Sequence, residues 1–171
     1  MFKNIADFTN TNDYLPLLNA VLITDLSVIT LLNTKAFSSD VLQKWYSKYN
    51  LSAVIADVLI ILIVLIITRF LYHSIFADFS IVNFILLAIA LQVTHDILFY
   101  AFFSSVPRGV NQMLDTFKDY ANEMSFKAVL ADSGMMTMSC LLAYLLVNQS
   151  VNTNIIILVI SMYLLPYLLY N

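Results

Sequence analysis

Leu51 to Phe70 is a stretch of twenty residues in which Val54-Ile55 and Val58 to Ile67 are aliphatic, with one acid, Asp57, set among them. Coiled as a helix it would be about 30 Å long, the thickness of a bilayer's hydrocarbon core, and it has no polar face to turn toward water. Four further runs have similar character: Ile81 to Phe103, Ser125 to Val147, the shorter Ile155 to Tyr170, and Tyr14 to Leu32. Only 11% of the chain is charged and 61% is hydrophobic, whereas soluble domains carry about 25% charged residues. Such a composition cannot build a water-facing surface. The expected class is all-α, a polytopic transmembrane bundle of four or five spans.

Tyr14 to Leu32 is the doubtful span, because Asn19, Thr24 and Asp25 lie within it and an acid at a helix centre costs roughly 2.5 kcal/mol or more. Residues 1–13 are polar and rich in Asn and Thr, and read as an exposed arm before a single membrane domain covering 14–171. They lack the basic, apolar and small-residue blocks of a cleaved secretory signal. Two connecting segments are amphipathic. In Ser39 to Asn50, Val41, Trp45 and Tyr49 recur at helical spacing beside Lys44 and Lys48, which suits an interfacial helix with wet aromatic edges. In Pro107 to Met124, Val110, Leu114, Phe117, Ala121 and Met124 make the apolar stripe. Asn111, Asp115, Lys118, Asp119, Asn122 and Glu123 make the polar face.

Lys35, Lys44, Lys48, Arg108, Lys118 and Lys127 all fall on or beside the two amphipathic connections. The positive-inside rule places that side, and with it the C-terminus, in the cytoplasm. Arg69 is expected to snorkel to water at the opposite side. Asn148-Gln149-Ser150 and Asn50-Leu51-Ser52 match the glycosylation tripeptide, a match expected by chance in an Asn-rich chain.

The candidate site is a polar constellation inside the spans. Gln92, His95 and Asp96 interrupt Ile81 to Phe103, and Asp57 and Asp132 interrupt its neighbours. Each acid stands six or seven residues in from the basic side, so all three should lie roughly 10 Å below one surface. Their faces carry small residues too: Ala88 with Gln92, His95, Asp96 and Phe99; Ala128 and Ala143 with Asp132, Met136 and Ser139; Ala53 with Asp57, Val64 and Thr68. Small residues beside polar ones are how helices approach and hydrogen-bond in lipid. A contact of these three helices is expected, with the polar face of the Pro107 to Met124 helix over or beside it. Carboxylates gathered in so little water cannot all carry charge cheaply.

The same residues argue against several classes. A net charge of −3 without basic clusters does not suit nucleic acid. No histidine pair, Cys-His set, phosphate-binding glycine loop or intraspan lysine is present, so no metal, cofactor or catalytic residue is assigned. The lone Cys140 cannot make an intrachain disulfide. Asp132-Ser133-Gly134 matches an aspartic-protease tripeptide, but that chemistry needs two such loops on a β framework.

Gln92-Val-Thr-His-Asp-Ile-Leu-Phe, Val106-Pro-Arg-Gly-Val-Asn, the run from Leu114 to Met124 and Leu130-Ala-Asp-Ser together resemble small multispanning membrane proteins of large nucleocytoplasmic DNA viruses. The resemblance covers the region from Asp57 to Ser139 and carries no catalytic signature. It implies a virion internal membrane or infected-cell membranes as the setting, with capsid proteins as partners. The leading functional expectation is therefore a non-enzymatic structural or scaffold protein of a membrane, binding capsid or other membrane proteins. The alternatives are a proton- or ion-handling protein built on His95 and the acids, working as a homo-oligomer, and a lipid-acting membrane enzyme.

Overall fold

The computed structural model describes residues 3–124 and 126–170. Seven α-helices follow a short N-terminal segment: α1 (Tyr14–Asn33), α2 (Asp40–Tyr49), α3 (Leu51–Ile75), α4 (Ile81–Ser105), α5 (Gln112–Met124), α6 (Phe126–Leu146) and α7 (Val151–Leu169). Five of them, α1, α3, α4, α6 and α7, are long and apolar enough to cross a membrane. Ser125, where the fourth span was expected to begin, lies outside the described residues, as do Met1 and Phe2 of the expected arm.

Burial in this bundle is inverted relative to a soluble protein. On α3 the large aliphatics Ile55, Leu59, Ile63 and Ile67 form an exposed stripe at i, i+4 spacing. Ala53, Val58, Ile61, Val64, Leu65 and Thr68 face the interior. An exposed stripe of this kind is stable only against lipid.

The doubtful span is the central one. α1 packs against α3, α6 and α7, and its polar residues are the ties. Asn19 Nδ2 donates to the Asn154 carbonyl at 2.8 Å, Thr24 Oγ1 accepts from Ser139 at 3.0 Å, and Asp25 Oδ1 accepts from the Tyr46 hydroxyl at 2.8 Å. Groups that lower hydropathy are here satisfied across helix interfaces. The small-residue face of α6, with Met136, Ser139 and Ala143 buried, accordingly meets α1 and α4. The expected three-helix contact is thus corrected: α3 and α6 each pack on α1 and on α4 rather than extensively on each other.

Contacts between chain ends define two poles. Lys3 N donates to Asn148 Oδ1 and Asn4 meets His73 at one, while Asn33 Nδ2 donates to the Leu168 carbonyl at the other, beside α2 and α5. α3 continues to Ile75, past the expected Phe70. Ser150 caps α7 by accepting from Thr153 N, which starts that helix at Val151, earlier than expected, and Pro166 is contained within it.

The N-terminal segment is not an exposed arm. Ile5, Ala6 and Asp13 are buried, and the reason is Arg69. Arg69 is 1% exposed, so it does not snorkel to water. Its Nη2 donates to the Asp7 and Asn10 carbonyls and to Asp13 Oδ2, and its guanidinium lies 4.8 Å from the Tyr14 ring centroid. Folding the chain back over Arg69 supplies acceptors that water would otherwise supply. Lys3 Nζ pairs with Asp13 as well, at 2.5 Å. Asp7 stays outside the spans, and its hydrogen bonds from Thr9 hold its carboxyl below the usual carboxylate range.

Candidate functional site: an acid-lined chamber

Asp57, Gln92, His95, Asp96 and Asp132, five residues from three helices, all line one cavity of about 990 Å3. Its walls come from α1, α3, α4 and α6, and α2 and α5 cover it at the pole opposite the N-terminal segment; it is partly open, with the exposed Leu31, Ile97, Tyr100 and Phe126 among its lining residues. The acids surround this space instead of meeting. Among the described residues no three His, Cys, Asp or Glu side chains are grouped closely enough to hold a metal ion.

Each acid has its own surroundings. Asp57 Oδ2 accepts from Trp45 Nε1 at 3.0 Å. Asp96 Oδ1 accepts from Gln92 Nε2 at 2.7 Å, one helical turn away, and lies 3.3 Å from His95 Nδ1. The His95 ring stacks on Phe99, at 5.6 Å between centroids. Asp132 accepts no hydrogen bond among the described residues and faces Asp96 and Asp57 through the cavity. Gln92 Oε1 and Asp96 Oδ2 are buried without a partner. Among the described residues no lysine or arginine lines the chamber.

The roof differs from expectation. Trp45 does not sit with a wet edge in a headgroup layer: it is buried, with its indole N–H directed to Asp57, while Tyr49 is half-buried; the neighbouring Tyr46 is buried as well and directs its phenol to Asp25. Burial, reinforced by the facing charges of Asp57 and Asp25, raises the Tyr46 phenol well above its ordinary range. On α5 it is the apolar side that covers the chamber, through Phe117, Tyr120 and Ala121. Burial opposite Asp132, Asp57 and Asp96 raises the Tyr120 phenol as well.

The expected polar face of α5 is spent on local ties. Residues 107–111 are a loop rather than the first turn of the helix, since Gly109 takes a positive φ of 88° and Val110 is exposed. Asn111 Oδ1 caps α5 by accepting from Met113 N and Leu114 N. Asp115 accepts from Gly109 N at 2.8 Å, Lys118 donates to the Val106 carbonyl, and Asp119 pairs with Arg108 at 2.9 Å. Glu123 accepts from Ser39 of α2 at 2.8 Å. Asn122 is the one predicted member of that face that reaches the chamber wall.

Sequence reasoning missed the buried Asp25–Tyr46 bond, although an acid at mid-span with an aromatic hydroxyl in the following interfacial helix is a readable signal. It also missed the direction of Trp45, for which periodicity gave no clue. No protein-family model, characterised protein or solved structure matches this chain.

Proposed function

We propose that this protein is a multi-pass membrane protein that takes up cations, protons among them, in the acid-lined chamber. The observation that carries the reading is the placement of Asp57, Asp96 and Asp132 around a cavity of about 990 Å3 whose lining, among the described residues, has His95 but no lysine or arginine. Acids that merely lock helices together in lipid engage a donor across the interface and leave no void between them. Among the described residues Asp132 and the buried Oδ2 of Asp96 have no donor, and the space these two residues line would be filled favourably by positive charge.

In this reading the chamber pole and the C-terminus are cytoplasmic. Six of the eight basic residues lie at that pole, and the remaining two, Lys3 and Arg69, are both paired with Asp13. The resemblance of the Asp57 to Ser139 region to small membrane proteins of large nucleocytoplasmic DNA viruses supports a virion internal membrane, or the membranes of an infected cell, as the setting.

Reconstitution into vesicles loaded with a pH-sensitive dye tests the proposal. Wild-type protein should pass protons or sodium under an imposed gradient, and Asp96→Asn or Asp132→Asn should reduce that flux. Wild-type vesicles as tight as empty ones would overturn it. A second reading, a non-enzymatic scaffold for capsid or other membrane proteins, is favoured by the hydrogen-bonded α2–α5 platform, where Lys44 and Lys48 of α2 and Arg108 of the loop before α5, paired with Asp119, are exposed. Recovery of capsid proteins with the wild type, lost on replacing these three cations, would support it.

A further inference from the structure

The chamber is larger and more apolar than a proton or a bare metal ion requires. About 990 Å3 lies at the upper end of the volumes that hold organic ligands. Its roof and one wall form a continuous aromatic surface: Phe117 lies 4.9 Å from Trp45 and 5.0 Å from Phe99, and Phe99 lies 5.3 Å from Phe103, between ring centroids. Aromatic faces attract cations, and their bulk accommodates an apolar body.

The polar groups say what the ligand donates. Gln92 lines the cavity and is 4% exposed, and its Oε1 is a buried acceptor with no donor among the described residues. Its Nε2 is committed to Asp96 Oδ1, which fixes the amide so that the oxygen is the free end. Asp96 Oδ2, one helical turn on, is likewise buried without a donor, and Asp132 looks into the same space. Buried acceptors without donors are costly, so this arrangement is completed by a group bearing several N–H bonds and positive charge. A phosphate beside that group would meet three carboxylates and no lysine or arginine, which disfavours zwitterionic lipid headgroups.

We infer that the chamber is a binding site for a primary ammonium attached to an apolar, aromatic-sized body, its N–H bonds shared between Gln92 Oε1 and the Asp96 and Asp132 carboxylates. This rests on the chamber being a cation site and specifies which cation.

Trp45, the only tryptophan of the chain, lines the cavity, so its fluorescence reads occupancy directly. The full-length protein in phosphatidylcholine nanodiscs would be titrated with phenylbutylammonium, with phenylbutanol and with phenylbutyltrimethylammonium. The primary ammonium should saturate the signal, and the alcohol should bind about tenfold more weakly or worse, equivalent to about 1.4 kcal/mol. Asp132→Asn should weaken both cations. Gln92→Leu should weaken only the primary ammonium, because the quaternary one has no N–H to lose. Asp40→Asn, an exposed acid outside the chamber, should leave all three affinities unchanged.

Equal affinity for the alcohol and the ammonium would overturn the inference. So would wild-type affinity in both chamber variants with helical content intact. Adding phosphatidylethanolamine to the nanodiscs separates the two sources of a primary ammonium: competition assigns it to the lipid, and none to a soluble amine. Proton or sodium flux without ammonium selectivity sinks this inference alone, whereas selective ammonium binding without any flux sinks the transport reading and keeps the site.

Discussion

Replacing Tyr46 with phenylalanine removes one oxygen from a place that water does not reach. The Tyr46 hydroxyl donates to Asp25 Oδ1 at 2.8 Å, Asp25 is 0% exposed, and its Oδ2 already has no partner. In the variant the whole carboxyl group would lack a donor among the described residues. An orphaned buried polar group costs about 1–3 kcal/mol, so Tyr46→Phe should destabilise by about 1–3 kcal/mol. Asp25→Leu removes the acceptor at 2.8 Å from the Tyr46 hydroxyl, at up to roughly 1–3 kcal/mol less what the nearby Asp57 carboxyl recovers, but buries an aliphatic side chain in α1 that returns a similar amount. The double variant has neither orphan, so it should be as stable as the wild type or more so, giving a coupling of about 2 kcal/mol between the sites. Reversible unfolding in mixed micelles with rising dodecyl sulfate, followed by circular dichroism, measures all four proteins. A Tyr46→Phe effect below about 0.5 kcal/mol, or additive single effects, would refute the claim that α2 is clamped to the central helix through this bond.

Asp13→Asn should cost roughly 3–5 kcal/mol by leaving the buried Arg69 without its carboxylate, with less than about 1 kcal/mol of that from the exposed partner Lys3. Limited proteolysis should then cut within residues 3–13, which the wild type protects. Alkaline absorbance titration should find Tyr46 and Tyr120 ionising above the ordinary tyrosine range. Their folded values are raised above the ordinary one, so the stability they contribute is complete below about pH 10 and is lost as pH climbs toward the folded values. Asn50 has a φ of +47° at the one-residue corner between α2 and α3. Asn50→Val should destabilise by about 1–2 kcal/mol and Asn50→Gly hardly at all, as read by the same micelle unfolding.

Much of this architecture was readable because lipid leaves few options. Length and apolarity locate α3, α4 and α6, and counting residues inward from the basic pole puts Asp57, Asp96 and Asp132 at one level, where the cavity gathers them. The rank of α1 was hidden by the same logic. Hydropathy counts Asn19, Thr24 and Asp25 against a span, but in a bundle those atoms find partners on α7, α6 and α2, far away in sequence. Arg69 was misread for a similar reason. Snorkelling is the outcome for an arginine with no partner, and its acceptors lie some sixty residues upstream, in a segment whose polarity suggested exposure. On α5 the stripe was recognised but not its direction, because amphipathicity alone does not say whether the apolar side meets lipid or the roof of a cavity.

The corner at Asn50 also divides the labour between the two roof helices. With one residue between them, α2 cannot swing without breaking the start of α3, and the Trp45–Asp57 and Tyr46–Asp25 bonds hold it from below. α5 is joined to α4 by the Val106–Asn111 loop, and it is fastened to α2 by Ser39–Glu123 at one end and by Tyr49 to the Gln112 carbonyl and Thr116 at the other. The chamber is therefore built like a box with one fixed flap and one latched flap. Its latch is made of three polar bonds and the Trp45–Phe117 ring contact, and parting them would leave the ties of α2 to Asp57 and Asp25 in place.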